Sequence, residues 1–414
     1  MPAPKVLGDT SGTQHAASVT RLPHLDGIRA LAALYVVVGH ARMTVWPWNL
    51  GHRPPPVAAL VTNWMVWGRL GVAVFIVLSG FCLGLPVAAA DGALRGGARA
   101  FFRRRARRIL PPFYAALVLT AILISKIIGS KTGTQWDHSL PATDSAYFAN
   151  LFLVQDVVGS GKISYPFWSV AVEWQIYLLF PAIVVCWRRF GVARTTFWTI
   201  VAAYCFWLGS EIVGRHGQFD AAGFNFTFVA LFVLGMLSAK ISVSPRAVWI
   251  RVRDSVPWGL LATGLGAGTL LFAWFGSTRT ALLSLIDLPV GVFTAALLVA
   301  ASRPGVNRLR SCLSWRPLVF VGGFSYSLYL MHAPLLQIVW QYVLQPLDLR
   351  PGVGLVALEL VGIPLVVTAA YLFYRVLERP FVNASRKRRP IGVTQPERAE
   401  IAVVIKSPAL VPTD

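Results

Sequence analysis

Ionisable side chains are scarce in the apolar stretches of this chain, and the few present are spaced as if they work together. Each one costs several kcal/mol to hold inside a bilayer, so its presence calls for a reason. Of seven histidines, only His40 and His332 fall within long apolar segments, and the carboxylates well inside such segments are Glu173, Asp287 and Glu359. Arg29 and His40 are eleven residues apart, three helical turns, which puts them on one face with a rise of roughly 16 Å between them. A snorkelling arginine and a packing histidine would be the bland alternative. It is the weaker one, because two costly residues on one face need a common cause. Glu173 lies about six residues, roughly 9 Å, into its own segment, and His40 is about five from the end of its helix, so the two are expected at one depth. An unpaired carboxylate there would be expensive, which makes His40 its natural partner. An imidazole oriented by a carboxylate is a proton-transfer device.

Three further constellations stand out. The run Phe101-Phe102-Arg103-Arg104-Arg105-Ala106-Arg107-Arg108-Ile109-Leu110-Pro111-Pro112 carries five arginines in six residues, more than a topology signal needs. Pro111 and Pro112 suit the first turn of a helix. Arginines just ahead of a helix N-terminus, Arg104, Arg105 and Arg108 among them, would form a phosphate site from guanidinium forks and free backbone N–H groups. Trp168 and Ser169 open the segment of Glu173, and Ser169, Glu173 and Tyr177 repeat every four residues on one helix face. Ser325, Tyr329 and His332 make a second polar stripe at i, i+4, i+7, followed by Pro334. His332 is either the cap of a proline kink or part of a substrate site. Arg375 and Glu378 are expected to pair at a helix end.

These residues need helices to hold them, and composition says which kind. The chain has 414 residues, of which 56% are hydrophobic and only 13% charged, with a mean hydropathy of +0.61. A soluble domain carries about 25% charged residues, so a water-facing surface of this size is excluded, as are disorder and coiled coil. The fold class is therefore all-α: a polytopic membrane helix bundle of about ten spans, at roughly 27–45, 70–90, 111–128, 167–187, 195–213, 223–239, 257–276, 282–301, 317–344 and 353–374.

The net charge of +21 looks at first like a nucleic-acid footprint, but its distribution says otherwise. Alternate connections hold 28 Lys/Arg on one side and 7 on the other, the positive-inside pattern, with both termini expected in the cytosol. No nucleic-acid partner is expected. The Gly264-Leu265-Gly266-Ala267-Gly268 string reads as a helix-packing surface. Four dispersed cysteines predict neither a disulfide nor a metal site. Residues 1–21 read as a polar tail, 22–381 as the membrane domain, and 382–414 as a basic, disordered cytosolic tail; the loop 129–166 could fold over the outer mouth of the bundle.

In order along the chain, these motifs resemble the integral-membrane acyltransferase 3 family, which includes polysaccharide O-acetylases and macrolide O-acyltransferases. The resemblance rests on Leu25-Asp26-Gly27-x-Arg29-Ala30 with His40, on Gly71 to Phe81, and on Arg104, Arg105, Arg108, Ile109 and Pro111. It continues through Trp168, Ser169 and Glu173, then Ser325 to His332, then Glu378-Arg379-Pro380. Trp174 stands where many members carry a second acidic residue. The resemblance implies a stand-alone membrane enzyme of a bacterial cytoplasmic membrane, with no permanently bound cofactor. Acyl-CoA would be its co-substrate and a carbohydrate or glycolipid hydroxyl its acceptor. Arg105 and Arg108, helped by Arg29 and Arg104, would hold the donor phosphates. His40, oriented by Glu173, would act as general base or transient acyl carrier, and Trp168, Ser169, Ser325, Tyr329 and His332 would line the acceptor side. A small-metabolite acceptor and a transporter without covalent chemistry stay open as alternatives, as do acyl chain length and oligomeric state.

Overall fold

The computed structural model describes residues 22–94, 96–215, 225–275 and 280–381. The two tails, 1–21 and 382–414, lie outside the described residues. Helices in chain order are α1 Pro23–Val45, α2 Pro56–Thr62, α3 Arg69–Ala89, α4 Gly97–Leu123, α5 Asp144–Leu151, α6 Trp168–Phe190, α7 Val192–Arg215 and α8 Thr227–Val243. They continue with α9 Ala247–Ser255, α10 Trp258–Phe275, α11 Thr280–Ser302, α12 Arg308–Leu313, α13 Arg316–Gly322, α14 Ser325–Val339, α15 Pro351–Ala357 and α16 Ile363–Phe373. Among the described residues there is no strand.

Among the described residues seven helices are long and apolar enough to cross a membrane, or up to nine if each of two bent pairs is one span. These nine correspond to nine of the ten expected spans. The remaining one, 195–213, is helical as α7. The bends are informative. α9 turns by 102° from α8, and α14 by 75° from α13, so the expected ninth span is a broken helix. Ser325 Oγ donates to the Gly322 carbonyl at that break, satisfying one of the acceptors a helix end exposes.

Packing follows small residues, though not the string that pattern reading favours. α3 packs most extensively on α8. A Cβ on Gly80 would lie 2.0 Å from the Phe232 carbonyl oxygen, and one on Gly235 2.0 Å from that of Val77, so these backbones touch as small-residue faces allow. In the Gly264–Gly268 string only Gly266 approaches a neighbour, Phe293, while Gly264 and Gly268 face open space. The tightest of these contacts is therefore α3 on α8, while Gly266 packs α10 on Phe293 of α11.

One further correction concerns the arginine run. Helix α4 begins at Gly97, so the arginines form its first turns and Pro111 and Pro112 lie inside it. The expected phosphate site at a helix N-terminus ahead of Pro111 does not exist. The guanidinium groups project from a continuous helix instead. Arg103, Arg104, Arg107 and Arg108 are exposed, and Arg105 is half-buried.

The segment between α4 and α6 folds over one end of the bundle, as its polar–aromatic mixture suggests. Trp136, Leu140 and Ile163 are buried there. Thr134 Oγ1 donates to Gln337 Oε1 on α14 at 2.5 Å, and Gln341 Nε2 donates to the Ile128 carbonyl at 3.3 Å. At the opposite, basic end, Arg303 donates to the carbonyls of Arg253 (Nε, 3.1 Å) and Val256 (Nη2, 2.7 Å), tying α11 to the end of α9.

Candidate active site

Helix α1 carries His40 and α14 carries His332, and the two helices pack side by side. His40 Nδ1 lies 2.7 Å from His332 Nε2, with the rings parallel within 4°. His332 is fully buried, and its Nδ1 lies 2.6 Å from the Tyr329 carbonyl oxygen. A carbonyl can only accept, so His332 Nδ1 carries the hydrogen, and in the neutral ring Nε2 is then the acceptor. It follows that His40 Nδ1 donates and His40 Nε2 keeps its lone pair. The fold thereby fixes a proton acceptor at one atom of His40.

The expected His40–Glu173 contact is not the one the fold makes. Glu173 instead accepts from the Tyr177 hydroxyl one turn along α6, and that hydroxyl also meets Ser79 Oγ of α3 at 2.6 Å. Arg105 sits over the Tyr177 ring at 5.7 Å, within electrostatic reach of Glu173, Arg108 and Cys82. Arg29 completes this group: its Nη1 bonds Asp26 Oδ1 at 2.7 Å, and its Nη2 donates to Cys82 Sγ at 2.9 Å. Glu173 therefore serves the arginine end of the interior. The spacing on α6 is right, but the partner expected from depth alone is wrong, because α14 supplies an imidazole at that depth.

Between the two clusters runs a polar seam. Ser169 Oγ and Tyr329 Oη are 2.6 Å apart, and Tyr329 Oη donates to the Pro166 carbonyl at 2.8 Å. Phe75 of α3 meets Tyr329 edge-on at 6.2 Å, and Tyr165 meets His40 edge-on at 5.0 Å. Ser169, Glu173 and Tyr177 step down one face of α6, while Arg29 and His40 do so on α1, so both helices connect the histidine pair to the arginines. Trp168 is turned away from this line, its ring under Arg69 at 5.7 Å; Arg69 pairs with the fully buried Asp287 at 2.6 Å. Ser325 is occupied at the helix break. Arg104 and Arg108 lie on the exposed side of α4, with Arg108 in electrostatic reach of Glu378. Glu378 does not pair with Arg375: it accepts from Ser327 Oγ at 2.5 Å, and Arg375 Nη1 reaches Tyr371 Oη at 3.4 Å.

Sequence reasoning treated His332 apart from His40 and passed over Tyr165, Ser79 and Cys82. One signal for the pair was present: these are the two histidines that enter apolar segments.

The fold and this site define a class, a helical multi-pass membrane protein with a hydrogen-bonded imidazole pair inside its bundle. The chain belongs to the acyltransferase 3 family; the family model, described as an acyltransferase domain, matches residues 22–375. Among curated proteins it is similar to the O-acetyltransferase OatA of Staphylococcus aureus strain MRSA252, 25% identical over 413 residues, covering 94% of this chain and 62% of that protein. It is also similar to OatA of strain NCTC 8325, at 26% identity over 87% of this chain and 57% of that protein. The putative peptidoglycan O-acetyltransferase YrhL of Bacillus subtilis is 24% identical over 78% of this chain and 49% of that protein. The chain thus spans about half to three-fifths of the length of these relatives. No solved structure matches it significantly.

Proposed function

We propose that this protein is a membrane O-acetyltransferase that moves an acetyl group from cytosolic acetyl-CoA to a hydroxyl of a cell-envelope polysaccharide. The acceptor class is carried over from the relatives named above. The donor is argued from the arginines: Arg105 and Arg29 lie at the basic end of the seam, the end expected in the cytosol, where an anionic thioester enters. The single observation that carries the reading is the histidine pair, with its lone pair fixed on His40 Nε2, at the far end of that seam.

The chemistry balances as follows. The acceptor O–H gives its proton to His40 Nε2 while its oxygen attacks the thioester carbonyl. The C–S bond then breaks, the thiolate leaves, and the proton on His40 returns to sulfur. His332 stabilises the transient imidazolium by accepting from His40 Nδ1. Tyr165, edge-on to His40, is the phenol best placed to donate to the carbonyl oxygen as it gains charge. Glu173 and Tyr177 position Arg105 and so act on donor binding.

The test is transfer from radiolabelled acetyl-CoA to envelope polysaccharide by the purified chain in proteoliposomes. Transfer by wild type and none by His40→Ala is the expected result. Equal transfer by both would remove His40 from the chemistry, and substrate transport without acetylation would replace the enzyme by a carrier.

A further inference from the structure

A cavity of about 500 Å³ opens at the basic end of the bundle, between the ends of α3, α6 and α8 and the starts of α7 and α9. It lies outside the site described above. Its walls carry Arg188, Arg194, Lys240 and Arg246 against a single acid, Asp91, and two indoles, Trp187 and Trp249. Lys240 is only 4% exposed, an expensive placement for an ammonium unless an anion faces it. Its Nζ is 3.3 Å from Asp91 Oδ1, and Arg246 grips both oxygens of the same carboxylate at 2.9 and 2.7 Å. Asp91 itself is on the surface, so one exposed carboxylate answers two cations, with Arg188 and Arg194 beside them.

Two further features favour an anion here. The first turn of α7, Val192 to Arg194, lines the cavity, and the leading N–H groups of a helix with no intrahelical acceptor face an anion favourably. Gly92, with φ +92°, lets the α3–α4 turn close on the Arg188 stem; a Cβ there would lie 2.8 Å from Arg188 Cγ. One aromatic wall adds a preference: Trp187 is buried in the core, but the half-buried Trp249 offers an indole that can stack a purine and gives little to a glycerol phosphate.

The cavity also lines up with the seam. Arg188 is eleven residues beyond Tyr177 on α6, three turns along the same face and roughly 16 Å farther toward the basic end. From these observations we infer that the cavity binds the 3′-phosphorylated ADP head of the acyl-CoA donor, leaving Arg29 and Arg105 to receive the pyrophosphate and the pantetheine arm. This rests on the acyl-CoA reading above and extends it to the nucleotide.

The experiment measures binding of CoA, adenosine 3′,5′-bisphosphate, 4′-phosphopantetheine and phosphatidylglycerol to the full chain in nanodiscs of phosphatidylcholine carrying a minor fraction of phosphatidylglycerol. Arg188→Ala/Arg194→Ala should weaken CoA and the bisphosphate by about 10- to 100-fold, the loss expected from charge-assisted hydrogen bonds, and leave phosphopantetheine unchanged. A double variant that binds the bisphosphate as wild type does overturns the inference while the donor reading stands. Failure of wild type to bind CoA at all overturns both. Loss of bound phosphatidylglycerol, with nucleotide affinity kept, would make the cavity a lipid-headgroup site instead. A second measurement needs no variant: an azidoadenine CoA photolabel on the wild-type chain should mark 187–194 or 246–249, and label confined to 99–108 overturns the inference.

Discussion

His40 Nδ1 and His332 Nε2 lie 2.7 Å apart, and a main-chain carbonyl on the far side of His332 decides which way the proton between them points. A carboxylate commonly orients a catalytic imidazole; here the same task falls to a second imidazole anchored by backbone. The substitute adds no negative charge to a buried site, and it ties the state of His40 to the integrity of α14.

The first prediction follows from that geometry. His40→Ala should remove acetyl transfer by about 10²- to 10⁴-fold, the range of a general base, without weakening donor binding. His332→Gln keeps an acceptor within reach of His40 Nδ1 and should retain more activity than His332→Ala, measured as kcat. The double variant His40→Ala/His332→Ala should be no worse than His40→Ala, because both residues serve one proton transfer. Additive losses would show that His332 acts on its own.

Tyr165→Phe tests the proposed oxyanion donor. It removes one hydroxyl and leaves the ring against His40 and Trp136. Loss of about 10²-fold in kcat with KM for acetyl-CoA unchanged is expected for a donor used only in the transition state. An unchanged kcat would leave Tyr165 as packing for His40.

Glu173 is predicted to behave differently from His40. Glu173→Gln takes the charge from beside Tyr177 and Arg105, so it should raise KM for acetyl-CoA with a smaller effect on kcat. Combined with His40→Ala, its effect on donor affinity should persist in full, read by direct acetyl-CoA binding. A kcat loss equal to that of His40→Ala would restore the direct partnership that depth alone suggests.

Much of this was legible before any coordinates. Hydropathy located nine helical passes that the structure retains, and the i, i+4 spacing on α6 correctly grouped Ser169, Glu173 and Tyr177. What one-dimensional spacing lacks is the azimuth of one helix against another. His40 could face α6 or α14, and only the packing of α1 on α14 decides for His332. The same limit hid the 75° break before Ser325, since Gly322-Gly323 in an apolar run reads equally well as a continuous span. Pro111 and Pro112 misled for a local reason: proline suits a first turn, but their ring clash with the preceding turn is tolerated inside the long α4.

Topology is a separate prediction. The charge asymmetry places the α3–α4 connection with Arg99 to Arg108 in the cytosol and the α5 segment outside. Single cysteines introduced at exposed Ser145 and at exposed Arg103 report the two sides through an impermeant thiol reagent, in a background with the four native cysteines replaced. Ser145→Cys should label in intact cells and Arg103→Cys only after permeabilisation. The reverse pattern would invert the whole assignment, including the side from which the donor enters.

Asp156 offers a test of the cover that lies over the histidine end. Its Oδ1 accepts from Gln175 Nε2 at 2.8 Å, but its Oδ2 is buried with no partner. Burial pushes this carboxyl up to about 6, against an ordinary 3.8. The sign follows from linkage: the folded state holds the proton more tightly than the unfolded chain does. Ionised Asp156 therefore destabilises the fold at and above neutral pH, and the penalty is relieved as pH falls from about 6 towards 4. Asp156→Asn keeps an acceptor for Gln175 and removes the charge. It should raise the melting temperature by a few degrees at pH 7.5, and the gain should shrink through the window from pH 6 to pH 4. Thermal unfolding of the purified protein, wild type against Asp156→Asn, at pH 7.5, 6 and 4 measures this directly. A gain that does not change with pH would mean that the substitution acts through packing, and that Asp156 stays ionised in the folded cover.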